Sequence, residues 1–257
     1  MIFESHAHYD DEAFDSDREQ LLSGLAEHNI GYVINVAASL DSVKTTQELM
    51  KKWPFVYGAL GVHPSETGEL NEESFAWLKA QMQTPKTVAV GEIGLDYYWD
   101  KEDEVRNRQK LWFARQLELA RETDLPVIIH SRDAAKDTQD VMAAEGAKDL
   151  RGVIHCFSYT KETAREFLKW DYYFGIGGVL TFKNAKKLRE AVEYIPMDRI
   201  LLETDCPYLA PEPNRGKRNS SLNLPYVVQA LSQIKGIGEE EVMEITCRNA
   251  KELFRIK

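Results

Sequence analysis

Cysteine is scarce in this chain. Cys156, Cys206 and Cys247 are an odd, widely spaced set without a CxxC pair, which fits reduced thiols and argues against a disulfide framework. No apolar stretch approaches the length of a bilayer span, and 43% hydrophobic with 29% charged residues reads as a soluble globular protein. The opening MIFESHAHYD lacks the basic segment, apolar stretch and cleavage site of a secretory signal, so the expected location is cytoplasmic and no membrane partner is expected. Positive charge is in deficit, with 32 Lys and Arg against 42 Asp and Glu, a net −10, and no basic run of five or more. That balance disfavours nonspecific coating of a nucleic-acid duplex. No repeat and no low-complexity linker divides the 257 residues, which are expected to form one domain, 1–257.

The chain does hold metal-ligand residue types, each at the end of a short apolar run. They are His6 and His8 after IFES, Glu92 after TVAVG, His130 after LPVII, His155 after RGVI, and Glu203 with Asp205 after RILL. One site drawn from so many segments requires a scaffold that delivers many strand ends to one face. A (β/α)8 TIM barrel does this, and the length fits one such domain. Strand candidates fall at 2–5, 31–37, 55–62, 87–92, 125–130, 152–156, 172–176 and 199–204, each but the last followed by a helical pattern. Asn71 with Glu72 and Glu73 suits a helix start, and Gly146 suits a helix stop. Leu111, Ala114, Leu117 and Ala120, three apart, predict the buried face of a helix covering the barrel.

Parity sharpens the candidate site. His6 and His8 are two apart, so on an extended strand both imidazoles face one side and can reach one metal; Glu203 and Asp205 repeat the pattern. Glu4 shares that parity but lies deeper, and is read as a carboxylate that either supports the ligands from behind or is buried for structure, the structural role being favoured. By the same alternation Cys156 and Cys206 are expected to turn away from the centre and pack behind it. A core rarely tolerates so many ionisable groups unless they pair or coordinate a metal, whereas His28, in LLSGLAEHNIG, reads as an exposed helix-end residue.

Several segments closely resemble the TatD-related metal-dependent deoxyribonucleases, within the amidohydrolase-like barrel enzymes. They are ESHAHYD at 4–10, GVHP at 61–64, GEIGLDYYW at 91–99, IHSRDA beginning at Ile129, HCFS at 155–158, ETDCPYL at 203–209 and RGKRN at 215–219, in order over essentially the whole chain. The resemblance implies two divalent metal ions. His6, His8 and Asp205 would hold one, His130 and His155 the other, with Glu92 bridging them. Asp205 is taken as proton acceptor, Glu203 as its orienting partner and His63 as a donor to a phosphate oxygen or a ligand. Arg215, Lys217 and Arg218 are candidates to grip a backbone phosphate, and Asp96 to orient a histidine ligand. The implied reaction is hydrolysis of DNA phosphodiester bonds from a single-stranded or frayed end. Histidine-rich ligation favours zinc or manganese, whereas the family suggests magnesium.

Tyr97, Tyr98 and Trp99 can stack a nucleobase, although packing beneath a loop is the favoured reading. KGIGEEEV, with Glu239, Glu240 and Glu241, reads as a turn between helices rather than a phosphate-binding hairpin. Glu4 stands where the family often has aspartate, and SSLNLPYVV adds residues after RGKRN, so strand preference and end polarity do not transfer. Two rivals remain open: a hydrolase of an ester, lactone or amide, such as an aminoacyl-RNA ester, and a non-catalytic metal-binding scaffold. Neither oligomeric state nor regulation is written in the sequence.

Overall fold

The computed structural model describes residues 1–257. In chain order the regular elements are β1 (Ile2–Ala7), α1 (Arg18–Gly24), β2 (Ile30–Val36), α2 (Leu40–Lys52), β3 (Val56–Leu60), α3 (Glu72–Gln81), β4 (Thr87–Asp96), α4 (Asp103–Thr123), β5 (Val127–Arg132), α5 (Ala135–Ala144), β6 (Gly152–Ile154), α6 (Lys161–Leu168), β7 (Tyr173–Ile176), α7 (Lys186–Tyr194), β8 (Ile200–Leu202), α8 (Leu224–Lys235) and α9 (Glu239–Phe254). The strands belong to one eight-stranded sheet in the order β1 to β8, the order of a (β/α)8 barrel. All eight predicted strands are present. The last is also followed by helices, α8 and α9, joined by a turn in which Gly236 takes a left-handed φ of 67°.

The chain divides into two compact units, Met1–Asn35 with Cys156–Lys257, and Val36–His155. In the first, β7 pairs with β8 in parallel, and the chain just beyond β8 is joined to β1 by a parallel bridge between Ala7 and Cys206. Phe3 of β1 stacks between Tyr32 and Phe254, at 5.2 and 6.2 Å, and so pins α9 to the strands. In the second unit β3, β4, β5 and β6 pair in parallel. Nine of the ten β4 residues are buried, as expected of a strand covered on both faces, so the presence of Glu92 and Asp96 among them calls for a role beyond packing.

Asn71 caps α3, its side chain accepting from the amides of Glu73 and Ser74, and Gly146 ends the α5 region with a φ of 63°. The buried face of α4 differs from the expected one. Leu111 is 57% exposed, and the residues turned inward are Gln109, Trp112, Phe113, Gln116, Leu117, Leu119 and Ala120. A strict spacing of three drifts around a helix of about 3.6 residues per turn, so a three-apart series cannot stay on one face.

Candidate metal centre

In the first unit, β1 places His6 at its penultimate position and His8 just beyond its end. Their Nε2 atoms lie 3.2 Å apart. Asp205 follows β8 by three residues, and its Oδ1 is 3.3 Å from His8 Nε2 and 3.7 Å from His6 Nε2. Two nitrogens about 2.0–2.1 Å from one cation are separated by roughly 3.0 Å at a right angle and 3.4 Å at a tetrahedral one. The triangle therefore fits a single divalent ion, and two imidazoles with one carboxylate are a suitable donor set.

The backbone fixes this triangle. Asp205 has a left-handed φ of 57°, its amide donates to the His6 carbonyl, and the His8 amide donates to the Cys206 carbonyl. Beneath it, the Glu4 carboxylate accepts from the amides of His6 and Thr204 and from the hydroxyls of Thr204 and Ser221. Complete burial pushes Glu4 up to about 8 in spite of those hydrogen bonds. It has the structural role expected of it. Asn35 links the Tyr9 amide to the Asp10 carboxylate, whose pKa is raised by burial against the pull of His8.

Glu203 is buried, accepting from the Cys156 amide at 2.5 Å. It occupies space that only glycine at 175 leaves open, since a Cβ there would collide with its carboxylate. A cleft beside Asp205 is lined by Cys156, Gly177, Gly178, Glu203 and Leu209. Cys156 thus borders a cleft that Asp205 also lines, whereas strand alternation predicts a side chain turned away from the centre. β6 ends at Ile154, and Cys156 has a φ of 44°, so the alternation of an extended strand no longer governs its direction. Cys206 is fully buried, as expected.

In the second unit, Glu92 Oε1 lies 2.6 Å from His130 Nδ1 and 2.7 Å from His155 Nε2, and those two nitrogens are 3.2 Å apart. This is a second compact set of two imidazoles and a carboxylate, suited to the same ions. The far nitrogen of His130 faces Asp96 Oδ2 at 3.2 Å, an arrangement that fixes the ring and leaves Nδ1 toward Glu92. Burial opposes charge on both partners. For His130 the hydrogen bonds to Asp96 and Glu92 outweigh it and raise the pKa; for Asp96 the bond to His130 and the amides of Trp99 and Tyr98 outweigh it and lower the pKa.

His63 stands 3.8 Å from Glu92 through Nε2, with its ring edge-on to His130 at 4.4 Å. Its Nδ1 accepts the Ser65 amide, so the proton of the neutral ring resides on Nε2. Burial, followed by the neighbouring His130, depresses its pKa to about 3, which keeps it a neutral donor.

Sequence reasoning missed the two glutamines that hold these strand ends. Gln116 closes both backbone groups of Val62, next to His63, and Gln109 does the same for Asp96. It also missed the Tyr9 hydroxyl, which donates to Ser221. In the loop beyond Asp205, Arg218 spends its guanidinium on Asp17 through two hydrogen bonds and covers the Phe14 ring. Arg215 and Lys217 are exposed. His28 is exposed, as expected, and Tyr97 packs through its hydroxyl on Asp137.

A (β/α)8 barrel with histidine and carboxylate donors at its strand ends is a scaffold suited to metal-dependent hydrolysis. The model of the TatD related DNases matches residues 3–255, and the chain belongs to that family. It is 41% identical over 256 residues to YabD of Bacillus subtilis (strain 168), covering all of both chains. It is 36% identical over 260 residues to YcfH of Escherichia coli (strain K12), covering all of this chain and 96% of that one. Both relatives are described as metal-dependent hydrolases. The crystal structure of YjjV, a TatD homolog from Escherichia coli K12, matches with a TM-score of 0.92 and 29% identity, over 100% of this chain and 98% of that one.

Proposed function

We propose that this hydrolase is a deoxyribonuclease that cleaves phosphodiester bonds from a single-stranded or frayed DNA end and employs two divalent cations. His6, His8 and Asp205 would hold one, and Glu92, with His130 and His155 around its Oε1, the other. The observation that carries the reading is the donor chemistry: each set joins two imidazoles to a carboxylate, the first at spacings close to those around one ion and the second drawn together at 2.6 to 3.2 Å by hydrogen bonds among the same donors. The exposed Arg215 and Lys217 suit a backbone phosphate.

Divalent cations bound there supply Lewis acidity and lower the pKa of a water molecule. The chain's own residues do the rest. Asp205 accepts the proton released as the attacking water oxygen forms its bond to phosphorus while the ester P–O bond breaks. The departing nucleoside oxygen takes up a proton from solvent, and Glu203, fixed by the Cys156 amide, sets the surroundings of Asp205. Neutral His63 presents Nε2–H to a non-bridging phosphate oxygen as negative charge develops there. Arg215 and Lys217 hold the neighbouring phosphate.

The test is digestion of end-labelled DNA by the wild type and by His130→Ala in magnesium, manganese and zinc. The wild type cleaves and the variant loses most activity if the reading is right. Equal cleavage by both overturns the assigned centre. A wild type inert toward DNA but active on an ester or amide panel moves the substrate from phosphorus to carbon.

A further inference from the structure

The loop from β4 to α4 carries three consecutive aromatic residues with two different fates. Tyr97 turns inward, its hydroxyl on Asp137 and the Arg106 guanidinium over its ring. Tyr98 and Trp99, expected to pack beneath the loop, are instead 45% and 68% exposed. Leaving two large rings in water forfeits the burial that ordinarily fixes such residues. The pair is nevertheless held in place. Asp96 Oδ1 accepts the amides of Tyr98 at 2.9 Å and Trp99 at 3.3 Å, and the Tyr97 amide donates to the Arg132 carbonyl. The two rings meet edge to face at 4.7 Å, and the Arg132 guanidinium lies 4.0 Å from the centre of Tyr98 and 5.7 Å from that of Trp99. The other Asp96 oxygen faces the ring of His130. One carboxylate therefore anchors both the exposed aromatic pair and a donor of the candidate metal centre.

We propose that Trp99, Tyr98 and Arg132 form a seat for one unpaired nucleobase and its adjoining phosphate in single-stranded DNA. The inference rests on the nuclease reading above and specifies its substrate. Trp99, the more open ring, offers the stacking face. Tyr98, nearly perpendicular to it at an interplanar angle of 88°, forms the side wall, and Arg132 supplies positive charge at the rim for a phosphate. A base within a duplex has both faces covered by its neighbours, so the seat selects single strands and frayed ends over blunt duplex.

The test compares the metal-loaded protein's affinity for a fluorescein-labelled hexathymidylate with that for the same backbone made of abasic residues, both phosphorothioate-linked to block cleavage. The wild type is expected to bind the intact strand about tenfold more tightly, the scale of one base stacked on an aromatic ring. Trp99→Ala removes that preference and Trp99→Phe retains most of it. The ring is exposed, so each variant melts with the wild type. Equal binding of the two strands by the wild type, or a preference that survives Trp99→Ala, overturns the seat and leaves the nuclease standing if DNA is still cleaved. A wild type that neither binds nor cleaves DNA overturns both.

Discussion

Gln109 holds Asp96 by both backbone groups: its side-chain oxygen accepts the Asp96 amide at 3.0 Å, and its NH2 donates to the Asp96 carbonyl at 3.2 Å. Gln109→Leu preserves bulk but strands a buried amide and carbonyl, each costing about 1–3 kcal/mol. We expect a lowered Tm and, because Asp96 sets the His130 ring, about tenfold to a hundredfold weaker metal binding by calorimetry, the range for lost support behind a metal ligand. Unchanged metal affinity would separate Asp96 from the centre.

Gly175→Ala drives a methyl group into the Glu203 carboxylate. Overpacking of this kind costs about 1–3 kcal/mol. Turnover should fall by more than the loss of folded protein accounts for, because Glu203 must move, and a melting curve run beside the activity assay checks this.

Above about pH 8, where the Glu4 carboxyl is ionised, Glu4→Gln is nearly isosteric yet places an NH2 among four donors that otherwise all point at carboxylate oxygens. At least one donor is left unmet, at about 1–3 kcal/mol. The amide of Thr204, next to Asp205, is among them. The expected outcome is weaker binding of the cation on His6, His8 and Asp205, with the second cation retained, read as a change in metal stoichiometry.

The basic loop divides into two jobs. Arg215→Ala and Lys217→Ala should each reduce the slope of log affinity for single-stranded DNA against log salt by roughly 0.7. Arg218→Ala should leave the slope nearly intact and reproduce the phenotype of Asp17→Asn, because its fork is engaged by Asp17. A slope unchanged in all three would remove this loop from the DNA path.

Metal itself should stabilise the fold. A cation at about 100 times its Kd contributes about 2.7 kcal/mol. Melting in manganese against chelator should show a large shift for wild type, and a smaller one for His8→Ala and for His130→Ala.

Strand positions and metal-ligand residue types were legible because apolar runs and the residues that end them are adjacent in sequence. Where the chain leaves regular geometry, legibility ended. Cys156 and Asp205, with φ of 44° and 57°, lie beyond their strands, so parity arguments lose their basis there. Gln109 and Gln116 escaped notice because a polar amide on a helix counts against burial by composition. Only the structure shows that their partners are the backbone of Asp96 and Val62. The outward posture of Trp99 likewise depends on Asp96 capturing its amide, a contact no periodicity encodes.

The two donor triads also mature at different moments of synthesis. Glu92, His130 and His155 are all translated once residue 155 is made, whereas His6 and His8 must wait for Asp205. A chain emerging from the ribosome therefore has the second candidate donor set fully translated some fifty residues before the first, and a truncated product ending between them would carry one complete set and two of the three donors of the other.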